Sequence, residues 1–103
     1  MVDLGKLQKQ IYQNKINKHF NLTNVYQEFC YLYGEVAEAY DAWLKKQGKE
    51  AISLELADIM IYTLGLAEIL NINLEDALLK KISINEKRIY INGQKVNPSS
   101  EEN

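Results

Sequence analysis

Hydrophobic positions recur at helical spacing along most of the chain, and they predict four helices. Over residues 3–19, Leu4, Leu7, Ile11 and then Lys15 or Ile16 trace one side, with lysine, glutamine and asparagine elsewhere. Asp3 stands where an N-cap belongs. Asn21-Leu22-Thr23-Asn24 breaks the pattern, and Thr23 offers a cap for the next helix. His19 falls at this junction, where a lone histidine reads as a surface or capping group rather than a ligand. The second helix is expected from Val25 to about Gln47. Its stripe of Phe29, Leu32, Tyr33, Val36, Tyr40, Trp43 and Leu44 fills a sector roughly 100° wide, the width of a core-facing side. Gly48 is its expected stop, with Lys45 and Lys46 in the last turn.

The third helix is expected from Ile52 or Ser53, with Ser53 as cap, to about Leu70, with Asn71 closing it in a left-handed conformation. It is apolar on nearly every side, which predicts burial. Gly65 within it costs about 1 kcal/mol of helix propensity relative to alanine, and close approach of another helix would account for it. Residues 73–88 form the fourth helix, capped by Asn73, with Glu75 and Asp76 in the first turn and Leu74, Ala77, Leu78 and Ile82 on the inner edge. Ile89-Tyr90-Ile91, Asn92-Gly93 and Gln94-Lys95-Val96 then give a hairpin signal. Residues 98–103 read as a frayed tail. No internal linker divides the chain, so residues 1–97 are expected to form one domain.

Two acidic pairs stand out against this background. Glu35 and Glu38 lie one turn apart on the second helix, and Glu55 and Asp58 one turn apart at the head of the apolar third. An unpaired carboxylate carried into apolar surroundings costs several kcal/mol or more. The acids are either solvated, paired with Lys45, Lys46, Lys80 and Lys81, or holding a cation. The apolar setting of Glu55 and Asp58 favours the cation. All-oxygen ligands suit Mg²⁺, with Mn²⁺ as the substitute. No histidine sits where a Glu-x-x-His di-iron motif needs one, and a single cysteine and a single histidine make zinc a poor choice. Tyr62 shares the Glu55/Asp58 side of its helix and is a candidate to line the site. Trp43 is a candidate for base stacking, although its place on the apolar stripe favours core packing.

Composition narrows the picture further. Hydrophobic residues make up 47% and charged residues 25% of the 103 residues, as in an ordinary soluble protein. A net charge of −2 offers no general attraction to nucleic acid polymers or anionic membranes. Cys30 is the only cysteine, so no intrachain disulfide can form, and a cytoplasmic location is expected. No signal peptide or confident membrane span is legible. The third helix carries more apolar surface than three short neighbours can cover, which favours a partner subunit.

The segments Gly34-Glu35-Val36-Ala37-Glu38-Ala39 and Glu55-Leu56-Ala57-Asp58-Ile59-Met60-Ile61-Tyr62 resemble the metal motif of the MazG-like, all-α nucleoside triphosphate pyrophosphohydrolases. Asn73-Leu74-Glu75-Asp76-Ala77 and Lys81-Ile82-Ser83-Ile84-Asn85-Glu86-Lys87-Arg88-Ile89-Tyr90 extend the likeness, which covers roughly residues 25–90 and is nearest the compact, dCTP pyrophosphatase-like branch. The resemblance implies an all-α four-helix bundle completed by oligomerisation to a homodimer or homotetramer. It implies Mg²⁺-dependent hydrolysis of a (deoxy)nucleoside triphosphate to the monophosphate and pyrophosphate, by metal-activated water attacking the α-phosphate. Glu35, Glu38, Glu55 and Asp58 would hold the metal, with Glu35 or Glu38 handling the water. Lys81 and Asn85 would contact phosphate or nucleotide, with Arg88 as a helper. The alternative is a non-catalytic helical module that binds a nucleotide or a protein. The chain departs from the family pattern after Tyr90, where Ile91 and Asn92 stand instead of an early proline.

Overall fold

A computed structural model describes residues 1–96; the expected frayed tail at 98–103 lies outside them. The elements run α1 (Leu4–Asn17), α2 (Val25–Leu44), α3 (Lys49–Ile69), α4 (Leu74–Lys87), β1 (Ile89–Ile91) and β2 (Gln94–Val96). Four helices and a short hairpin make the all-α class that the periodicity predicts. Contacts gather the chain into two compact units, Met1–Asn73 and a second from Leu74 onward.

In the first unit, α3 packs against both α1 and α2. Asp3 caps α1 as expected, its carboxylate accepting from the Lys6 backbone N–H at 3.1 Å. The cap of α2 is Asn24 rather than Thr23: Asn24 Oδ1 accepts from Gln27 N–H at 3.0 Å. The other corrections come from the helix ends. α1, α2 and α3 all close in the same way, with a non-glycine residue in the left-handed region one position past the cap: His19 (φ 57°), Lys46 (φ 56°) and Asn71 (φ 59°). Each end carries the paired backbone bonds of a Schellman closure, for example His19 N–H to Ile16 O at 3.1 Å and Phe20 N–H to Lys15 O at 2.9 Å. The stop of α2 therefore falls at Lys46, and Gly48 (φ 98°) instead opens α3. Ser53 is not a cap but an interior residue, its hydroxyl donating back to the Lys49 carbonyl at 2.7 Å.

The largest difference concerns which side of α2 faces inward. The predicted stripe is mostly outside: Tyr33 is 73%, Tyr40 59% and Trp43 62% exposed. The inward seam runs Glu28, Leu32, Glu35, Ala39, Ala42, at the alternating three- and four-residue spacing of a packed helix pair. Ala39 and Ala42 are small enough for the α3 backbone to come close, and larger residues on the stripe would hold it away. α3 likewise is not buried on all sides. Leu64, Gly65, Leu66 and Ala67 are buried, whereas Leu54, Leu56 and Met60 are more than half exposed.

Gly65 serves the close approach expected of it. A Cβ there would sit 3.4 Å from Ile11 Cγ2 and 3.6 Å from Lys15 Cδ on α1. The α1 seam runs Leu4, Gln8, Ile11, Lys15, and its two polar members are buried with partners. Gln8 Nε2 donates to Glu68 Oε1 at 2.9 Å and to the Ile72 carbonyl at 2.6 Å, fastening α1 to the end of α3.

The second unit is α4 followed by the hairpin. Residues Ile89, Tyr90 and Ile91 pair antiparallel with Val96, Lys95 and Gln94. Asn92 (φ 52°) and Gly93 (φ 77°) fill both central turn positions with positive φ, the type I′ geometry that Asn-Gly favours.

Candidate metal centre

Two facing seams build the site. α2 contributes Glu35, one turn before the small residues of its inner side, and α3 contributes Glu55 and Asp58 from its first half. Helical spacing sets Glu55 and Asp58 side by side, and the α2–α3 packing brings Glu35 to them. The three carboxylates each offer an oxygen within 4.8 Å of the other two, close enough for one ion to touch all three. Glu38 stands one turn beyond Glu35, on the exposed flank of the cluster.

The electrostatics are those of crowded, underpaired acids. Glu35 Oε2 and Glu55 Oε2 are buried and accept no hydrogen bond from any described residue. Burial raises the Glu35 carboxyl to about 7, helped by a hydrogen bond to Glu38 and by the charges of Glu38, Asp58 and Glu55. Glu55 is raised as well, by burial first and then by Glu38 and Asp58. Tyr62 is raised by burial and by the nearby charges of Glu35 and Glu28. The lysines paired in the first unit are engaged away from the cluster: Lys9 with Glu68, Lys15 with Glu28 and Lys45 with Asp41. The charge-pairing alternative with Lys45 and Lys46 is thus not what the helices form. A divalent cation would supply the positive charge and oxygen-ligand demand that these groups leave unmet.

The other sequence candidates divide. Tyr62 is half-buried beside the acids and lines a cavity of about 200 Å³ together with Asp58. Its ring meets that of Tyr31 edge-on, with centroids 6.1 Å apart. Trp43 is neither core nor beside the cluster's cavity; it lies exposed against Tyr40, with centroids 5.9 Å apart. Lys81 and Asn85 are exposed on α4, and the half-buried Arg88 follows that helix.

Sequence reasoning missed a second acid. Glu28 is 1% exposed, and its Oε1 accepts from Lys15 Nζ at 2.6 Å while Oε2 accepts from Asn21 Nδ2 at 3.0 Å. The signal was present: Lys15 continues the apolar α1 series, where a lysine has no place unless something neutralises it.

Among described residues, no helix is long and apolar enough to cross a membrane. Residues 30–101 match the MazG-like family. No curated protein and no solved structure matches the chain.

Proposed function

The chain belongs to the MazG-like family, and from that premise we propose that it is a Mg²⁺-dependent nucleoside triphosphate pyrophosphohydrolase acting on a (deoxy)nucleotide. The family points to nucleoside triphosphate pyrophosphohydrolase activity. The observation that carries the finer reading is the Glu35, Glu55, Asp58 cluster, with buried carboxylate oxygens that no described residue satisfies.

In this reading Glu35, Glu55 and Asp58 hold the ion, Mg²⁺ or in its place Mn²⁺, with Glu38 completing the set. When bound, such an ion supplies Lewis-acid charge toward phosphate oxygens and lowers the pKa of water. The protein's own share is to fix the three carboxylates before substrate arrives, so little reorganisation remains at the moment of reaction. Glu35 or Glu38 orients and deprotonates the attacking water. Glu38 is the better candidate because it is exposed beside the cluster, whereas Glu35 is turned into it. Lys81 and Asn85, with Arg88 as helper, are assigned to phosphate or nucleotide on the family motif alone. A single domain over residues 1–97 is part of this reading, supported by a family match over residues 30–101 that runs across the junction at Asn73.

The exposed apolar residues of α2 and α3, among them Tyr33, Trp43, Leu54 and Met60, support a homodimer or homotetramer that covers them. Sedimentation of the purified protein tests that part, and a monomer at micromolar concentration refutes it. The activity is tested by pyrophosphate release from a panel of nucleoside triphosphates, with Mg²⁺ and with EDTA. Release that needs Mg²⁺ and that Asp58→Asn abolishes is the expected result. A folded protein that binds nucleotide but releases no pyrophosphate from any of them would be the non-catalytic binding module instead.

A further inference from the structure

Lys15 sits on the inward seam of α1 and is 8% exposed. A buried ion pair often returns less than its desolvation costs, and apolar residues of similar volume would commonly serve stability as well. The Lys15–Glu28 pair therefore calls for a reason beyond stability, and its surroundings supply one. It is not sealed inside the core. Lys15, Phe20, Glu28, Asp58 and Tyr62 all line the cavity of about 200 Å³ beside the acids. Lys15, Phe20 and Tyr62 also line an adjoining hollow of about 320 Å³, with Asn21 and Tyr31.

The hydrogen bonds of this wall are unevenly used. Asn21 Nδ2 is taken by Glu28 Oε2 and by the Asn24 carbonyl, and Asn21 Oδ1 accepts from the backbone N–H of Asn24 at 3.0 Å. Glu28 receives one bond on each oxygen. Among the described residues, the Lys15 ammonium gives one of its three donors, to Glu28; its Nζ stands 5.9 Å from the Tyr62 ring centroid. A rigidly held cation with donors to spare thus faces a hollow walled by Phe20, Tyr31 and Tyr62, next to a carboxylate of the metal cluster. Aromatic faces suit a flat ring, and a fixed donor among them suits an acceptor on that ring's edge.

We propose that Lys15 is a specificity-determining residue: held by Glu28, its ammonium donates to a carbonyl oxygen on the nucleobase, whose ring lies against this aromatic wall. This rests on the reading that the neighbouring acids hold a divalent cation that would engage the phosphate end of a nucleotide. The ligand class is a nucleotide with an oxo-bearing base. Adenine has no carbonyl and accepts only at ring nitrogens in the plane of its rings, so a donor fixed for an exocyclic oxygen meets it in poorer geometry, a loss that a site built for the hydrogen bond penalises.

The test uses the full chain and separates binding from hydrolysis. The wild type is titrated with deoxynucleoside monophosphates, which have no anhydride to hydrolyse, in Mg²⁺, and pyrophosphate release is measured on the matching triphosphates with Mg²⁺. Lys15→Met is combined with Glu28→Gln so that no charge is left buried alone, and Lys15→Met with Glu28→Met, an apolar replacement of the whole pair, serves if that double variant does not fold. The expected result is wild-type preference for an oxo-bearing base over adenine, reduced in the variant by more than about tenfold. The change should be carried by KM, and Mg²⁺ should still raise the melting temperature. An unaltered base ratio in a folded variant, or a wild type that favours adenine or binds no nucleotide, overturns the assignment. Lys15-dependent binding of an oxo-bearing nucleotide without pyrophosphate release would keep it and refute the hydrolase reading. Release with a base ratio indifferent to Lys15 would do the reverse.

Discussion

α2 carries two acidic positions on one inward seam, and they have opposite fates. Glu28 is finished within the chain: Lys15 and Asn21 occupy its two oxygens at 2.6 and 3.0 Å. Glu35, two turns later, meets Glu55 and Asp58 across the helix interface, and one oxygen each of Glu35 and Glu55 goes without a partner among the described residues. The same residue type on the same helix side is thus a closed ion pair at one end and an open cluster of like charges at the other. A closed pair holds helices together and is damaged by losing a member. An open cluster opposes folding slightly and is relieved by losing one, unless a ligand from outside uses it.

The sharpest way to break this contrast is to truncate the closed pair. Glu28→Ala strands the Lys15 ammonium in the interior and is expected to cost about 3–5 kcal/mol in urea unfolding. A cost under about 1 kcal/mol would mean that the pair is not buried in solution. Glu55→Gln should do the opposite: unchanged or raised stability without metal, with activity down by more than about 100-fold, since even groups behind a metal ligand cost about 10–100-fold when removed. Destabilisation by Glu55→Gln comparable to that of Glu28→Ala would erase the distinction between the two positions.

Mg²⁺ itself gives a middle-sized effect. At about one hundred times its dissociation constant it should stabilise the wild type by about 2.7 kcal/mol, and Asp58→Asn far less. The effect depends on pH in a direction fixed by the carboxyls. Glu35 rises from 4.5 to about 7 on folding, so between these values the folded chain holds a proton that the unfolded chain has lost. Stability without metal therefore falls as pH rises through that window, and Glu55, also raised, acts the same way. Metal competes with those protons, so stabilisation by Mg²⁺ should grow from pH 5 to pH 8; thermal melts with Mg²⁺ or EDTA at each pH check it. The smallest effect is expected at Gly65, where alanine gains about 1 kcal/mol of propensity but meets Ile11 Cγ2 at 3.4 Å. Gly65→Ala should shift stability by less than about 1 kcal/mol, whereas Gly65→Leu should be strongly destabilising by crowding α1.

Features set by spacing along one helix or by local turn chemistry were legible in the residues alone. Four helices, the Asp3 cap, the left-handed Asn71, the Asn-Gly hairpin and the two one-turn acid pairs follow from neighbours a few residues apart. The close approach at Gly65 was legible too, because a glycine in an apolar helix leaves few other reasons. Which side of α2 faces inward was not legible. Hydrophobicity pointed to the aromatic stripe, yet α3 packs against the seam of Ala39 and Ala42, since backbone proximity rewards small residues and the stripe is too bulky for it. That choice alone brings Glu35 to Glu55 and Asp58, and with α1 it seats Lys15 on Glu28. The groups that meet Glu28 and Glu35 lie mostly on other helices, at distances that no single-helix periodicity encodes, so only the tertiary structure could decide which of the two acids was paired and which was left open.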